Sequence, residues 1–186
     1  MISKHLMIAI YWYGPYRDLN EARRAARDDY EHGLYLAIGK CRRERRLAMQ
    51  YVGIGGSIHT RLNDRHHKLS LITRERQIWL GEIATAEPSG KRMKVTRTTL
   101  DYAEWLHARF LGLPLNDKKT KEPPNRGVTV LNRWFSADDY DATKRRPHSD
   151  WPDLIDFPGY QLPARAVWFG RRQRTFTAPH YLPPDS

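Results

Sequence analysis

A single cysteine, Cys41, is all the thiol in this 186-residue chain. One thiol can build neither a disulfide framework nor a cysteine zinc site. Long apolar runs are missing as well: no stretch approaches the roughly 20 residues of a membrane-spanning helix. The first ten residues include Lys4 and His5 and lack the apolar centre of a secretory signal. The chain therefore reads as soluble and cytoplasmic, with no membrane partner. Internal repeats and low-complexity tracts are absent. The eight histidines are scattered, and the adjacent pair His66-His67 would point to different sides of a helix, which argues against a histidine metal cluster. Acid is in short supply: 21 Asp and Glu stand against 32 Lys and Arg, a formal charge of +11.

A field of that sign attracts polyanions, of which nucleic acid is the commonest. The length favours one domain, and 40% hydrophobic and 11% aromatic residues are enough to pack a core. His5 to Tyr13 is aromatic and branched and stops at Gly14-Pro15, which predicts a strand ending in a turn. Asp18 to Glu31 reads as a surface helix capped by Asp18 or Asn20. Gly33 to Ile38 and Ala48 to Gly53 read as paired antiparallel strands around a basic tip, GKCRRERR. Ser57 is placed to cap a helix from Ile58 to about Leu69 with Ile58, Leu62 and Leu69 on its buried side. Gln77 to Ala84 predicts another strand, Glu87 to Arg97 a basic connection and Thr99 to Leu111 a second core helix. A polar loop, Asn116 to Arg126, leads to an extended segment at Val128 to Trp134. Beyond Ser136 the chain is rich in Pro, Asp and Trp, with apolar patches at Leu154 to Phe157 and Ala166 to Phe169.

Chemistry concentrates in two tripeptides, Gly33-Leu34-Tyr35 and Tyr51-Val52-Gly53, each in a strand-like segment. Arg61 follows Gly53 by eight residues on the expected helix, and Glu104 lies on the second core helix, twelve residues before Asn116. Tyrosine can orient or deprotonate a water, arginine can bind a phosphate, and a carboxylate can hold a divalent metal. Glu104 shares a helix face with Leu100, Ala108 and Leu111, and a carboxylate on an apolar stripe calls for a compensating partner. A structural role is the plain alternative for each: a strand tyrosine as a core residue, Arg61 as a solvated charge, Glu104 at the edge of the stripe.

The order of these residues, strand, strand, helix with arginine, strand, helix with glutamate, resembles the GIY-YIG nuclease superfamily over roughly Gly33 to Asn116. The leader Tyr11 to Tyr16, with its Gly-Pro-Tyr turn, is similar to one seen in some members. The resemblance implies an α+β fold, a small mixed or antiparallel sheet flanked by helices. Residues 33–135 would form the core, 1–32 an N-terminal strand and helix, and 136–186 a C-terminal extension packed on the core. It implies a metal-dependent DNA endonuclease leaving 3′-hydroxyl and 5′-phosphate ends. Tyr35, Tyr51, Arg61, Glu104 and Asn116 would be catalytic, Gly33 and Gly53 the motif glycines, Gly53 allowing a tight turn. Glu104 would hold one Mg2+ or Mn2+.

DNA contacts are expected from Lys40, Arg42, Arg43, Arg45 and Arg46, from Lys91, Arg92 and Lys94, and from Arg65 and His66. Departures exist: fifteen residues separate Tyr35 from Tyr51, Ile54 stands where many members carry a basic residue, and Arg65, with His66 beside it, stands where many carry His or Tyr. The competing expectations are a GIY-YIG-like module that grips nucleic acid without cutting it, and a basic interaction protein that matches the motif by chance.

Overall fold

A computed structural model describes residues 5–63, 65–85, 94–116 and 123–177. It holds eight strands: β1 (Leu6–Tyr16), β2 (Gly33–Cys41), β3 (Ala48–Gly55), β4 (Ile72–Ile83), β5 (Val128–Ser136), β6 (Leu154–Phe157), β7 (Ala164–Trp168) and β8 (Arg172–Phe176). Three α-helices accompany them: α1 (Leu19–Asp29), α2 (Ile58–Arg61) and α3 (Arg97–Phe110). The strands form one mixed sheet in the order β3-β2-β4-β1-β5-β6-β7-β8. Among the described residues only the β1–β5 pair is parallel; the other strand pairs are antiparallel. At this level the α+β expectation holds.

Period-two alternation sorts the two faces. Leu34, Leu36 and Ile38 point with Ile8, Ile10 and Trp12 into the larger core, against α3. Tyr35 and Ala37 point the other way, into a smaller core with Leu19, Ala22 and Ala26 of α1 and with Ile58. Asp18 caps α1 as expected, its carboxylate accepting from Asn20 N–H at 3.0 Å, and α3 is capped by Thr96, whose Oγ1 accepts from Thr99 N–H at 3.2 Å.

Three elements differ from expectation, one of them in its cap as well as its length. β1 does not stop at Gly14-Pro15 but continues through a register shift to Tyr16, and it lies in the middle of the sheet. The helix expected to reach Leu69 ends at Arg61. The reason is local: Asn63 donates to the Thr60 carbonyl and accepts from Arg65 N–H, so a turn-forming side chain outcompetes the helical ladder. Ser57 makes no side-chain cap; its carbonyl instead accepts from the Thr60 hydroxyl at 2.8 Å. β8, whose sequence is mostly polar, has no counterpart in the expectations.

The C-terminal residues extend the sheet from β5 through β6, β7 and β8. They also send Trp151, fully buried, into the main core, with ring centroids 4.9 Å from Trp12 and 5.6 Å from Trp134.

Candidate active site

Tyr35 is the centre of the site. It pairs across strands with Gly53, and a Cβ on Gly53 would lie 2.4 Å from the tyrosine Cζ. Gly53 is therefore needed as open space for the Tyr35 ring rather than for a turn. Gly33 serves a similar need, since a Cβ there would sit 2.4 Å from the Gly81 carbonyl oxygen of β4.

Tyr51 lies on the same sheet face, its ring centroid 5.9 Å from that of Tyr35. His66 completes a cluster of three, 5.9 Å from Tyr35 and 5.4 Å from Tyr51. Its protonation follows from its contacts. Nδ1 accepts from the backbone N–H of Lys68 and of Leu69, so the ring proton sits on Nε2 and is donated to the Tyr35 hydroxyl at 2.9 Å. Tyr35 can then pass its own proton into the hydrogen bond it shares with Tyr51. Burial, with His67 and Arg61 nearby, holds the His66 pKa down to about 4, which keeps the ring neutral at ordinary pH. His66 and His67 stack with an interplanar angle of 3° rather than diverging, because the chain is not helical there.

Burial pushes the Tyr35 phenol far above its usual range, and Tyr51 adds to the effect; Glu104 pushes the same way, while the positive charge of Arg61 opposes it. Arg61 is exposed at the end of α2. With Arg23, Arg65, Tyr51, His66 and His67 it lines an open cleft of about 710 Å³. Glu104 is 6% exposed on α3, outside the wall of that cleft. Asn116 is buried and spans the edge of β3: its amide oxygen accepts from Val52 N–H at 2.8 Å and its Nδ2 donates to the Val52 carbonyl at 2.7 Å. It acts as a short substitute strand beside Tyr51 and satisfies the exposed side of an edge strand.

The basic residues are dispersed. Arg42, Arg43, Arg45 and Arg46 are exposed in the β2–β3 connection, and Lys94 is exposed ahead of α3. Lys40 is paired with Glu75. Lys91 and Arg92 lie outside the described residues. The connection itself is braced: Glu44 accepts from Cys41 N–H and from Gln50, and Arg74 donates to the Glu44 carbonyl at 2.6 Å.

Among the described residues no group of three or more His, Cys, Asp or Glu side chains converges as a ligand set. A hard cation here would rest on the single carboxylate of Glu104, and the donor chemistry fits: carboxylate oxygen suits Mg2+ or Mn2+, which keep most of their waters. His66 is the residue whose role the sequence obscured. The sequence placed it, five residues after Arg61, among the DNA contacts; the early end of α2 instead brings it against both tyrosines. No protein-family model, curated protein or solved structure matches the chain.

Proposed function

We infer that the chain is a metal-dependent DNA endonuclease of the GIY-YIG type. The observation that carries this reading is geometric: Tyr35, Tyr51 and His66, distant in sequence, pack as one cluster, and the second and third of them line a cleft with Arg61. Support also comes from the arginine-lined cleft beside Tyr51 and His66 and from the overall charge of +11.

In this mechanism the scissile phosphate enters the cleft beside Arg61, whose planar fork of donors grips a nonbridging oxygen. The two tyrosines divide the labour. Tyr35, buried and held protonated, receives a hydrogen bond from His66 and donates one to Tyr51, which fixes the orientation of the second phenol. Tyr51, half-exposed at the cleft, orients the attacking water by hydrogen bonding, and accepts the water's proton only as its phenolate, having first lost its own proton to solvent. Asn116 positions this strand by clamping Val52. A divalent cation bound through Glu104 would supply charge stabilisation at the phosphoryl group and the leaving oxygen.

The deciding experiment is nicking of supercoiled plasmid by the full chain with Mg2+ or Mn2+ and with EDTA. Metal-dependent nicking that leaves 5′-phosphate ends, and that disappears in Glu104→Gln, is the expected result. DNA binding in EDTA without any nicking is the result a nucleic-acid-binding module would give, and it would overturn the enzyme reading.

A further inference from the structure

A second cleft, of about 1120 Å³, opens over β1, β5 and the β7–β8 hairpin. It lies on the same face of the sheet as the tyrosine cluster. One row of paired residues crosses from Tyr35 to Leu80, to Tyr13 and to Phe135, and directly opposed residues share a face. Tyr11 and Arg133, neighbours on β1 and β5 in the next row along that face, line the cleft.

Its lining combines cations with aromatic surface. Arg133, Lys144, Arg145 and Arg171 are exposed in it. The acid in its wall, Asp153, is already engaged: it pairs with Arg146 and accepts from Phe169 N–H at 2.8 Å. That second bond ties down the hairpin tip Phe169-Gly170-Arg171, where Gly170 takes the positive φ of +69° that a tight three-residue turn needs. The tip presents Phe169 with 58% of its surface exposed. A large aromatic held out of the core on a braced tip, among exposed cations, lacks a packing reason. It has the chemistry of a nucleobase stacking platform beside a phosphate track.

We propose that this C-terminal cleft binds an unpaired segment of a nucleic acid strand, with Phe169 stacking on a base and Arg133 and Arg171 contacting the phosphates. Charge complementarity selects the polyanion. The exposed aromatic selects unpaired bases over duplex, because a duplex keeps its base faces stacked internally. Tyr35 on β2 is three strand spacings, on the order of 14 Å, from Arg133 on β5 across the sheet, with Phe169 further out on the β7–β8 turn, so one extended strand can occupy both clefts. Only that last point rests on the endonuclease reading, since binding in the cleft needs no metal.

The test is fluorescence anisotropy of the full chain in EDTA with two probes, a labelled oligothymidylate of about twelve nucleotides and a blunt hairpin duplex. Phe169→Ala, a change at an exposed tip, should weaken oligothymidylate binding about tenfold while duplex binding stays within about twofold. Paired replacement Arg133→Ala with Arg171→Ala should weaken oligothymidylate binding at least as much and flatten its salt dependence. Unchanged oligothymidylate affinity in Phe169→Ala overturns the proposal, as does an equal loss on both probes, which would mark a general charged surface. A chain that binds oligothymidylate through Phe169 but never nicks plasmid removes the endonuclease reading and leaves the cleft. A chain that nicks, with Phe169→Ala binding like the parent, removes the cleft alone.

Discussion

The two ends of the sheet are built differently. At the β3-β2-β4 end both faces are covered, one by α3 and the other by α1 and Ile58. At the β5–β8 end, α3 and the tryptophans fill one face, while the other shows Arg133, Arg165 and the hairpin tip to solvent. The covered end fixes polar groups at low dielectric, where burial itself shifts protonation, as it does at Tyr35 and His66. The open end leaves cations hydrated and available, which suits attraction over precise positioning. The lesson is a division of labour: changes in the core and the cleft of the covered end should alter stability or rate, and changes at exposed cations away from that cleft should alter binding alone.

The sharpest break would come from Arg61→Ala. Loss of one donor to a phosphoryl transition state costs about 10²–10³ in rate, while an exposed helix-end substitution leaves the thermal midpoint nearly unchanged. Single-turnover cleavage within a few-fold of the parent would remove Arg61 from the chemistry. If Glu104→Gln retains cleavage as well, Asp101 and Glu82 become the carboxylates to examine.

Gly53→Ala should damage the fold itself. The new methyl meets the Tyr35 ring, and overpacking of this kind costs about 1–3 kcal/mol. Thermal melts would show it, and an unshifted midpoint would mean that Tyr35 has room to move.

Asn116→Ala leaves both main-chain groups of Val52 without their present partner on this edge. A loss of about 1–3 kcal/mol is expected, readable by urea denaturation, together with slower cleavage if the strand carrying Tyr51 is positioned by the clamp.

A smaller effect concerns pH. His66 is held down to about 4 in the folded chain, against about 6.5 when unfolded. Between those values the unfolded state binds a proton that the folded state does not, so stability falls as pH drops through that window. Burial lowers the buried His107 in the same direction. His66→Gln should flatten the slope of stability between pH about 6.5 and about 4, and an unchanged slope would mean His66 is not a source of it.

The least change is expected at Arg42, Arg43, Arg45 and Arg46. Charge reversal there should weaken duplex binding alike on all sequences and reduce the salt slope, with the melting temperature within a degree or so of the parent. A sequence-dependent loss would show base readout in that loop.

Much of the covered end was legible in the chain. Alternating apolar residues on either side of a basic tip marked β2 and β3, and the spacing from Gly53 singled out Arg61. What was hidden depended on contacts far apart in sequence or on competition within a turn. The stop after Arg61 came from Asn63 bonding its own neighbours, a small local preference that an apolar pattern at 58, 62 and 69 masked. The position of β1 depends on β4 and β5, neither of which it resembles. β8 is hydrogen-bonded to β7 yet mostly exposed, so its polar sequence carries no burial signal. The role of His66 required the position of Tyr35, which no helix periodicity supplies.

The parallel pairing of β1 with β5 has a consequence for biosynthesis. Leu6 pairs with Val128, so β1 takes a partner that is synthesised 122 residues after it. At about 5–20 residues per second, that strand waits many seconds with an apolar, aromatic edge open. Its antiparallel partner β4 arrives earlier and covers one side only. The nascent chain therefore passes through a stage that offers a ready template for pairing with other chains. Fragments ending before Val128 are expected in the insoluble fraction on expression, and a soluble, folded fragment would show that β1 waits elsewhere until β5 is made.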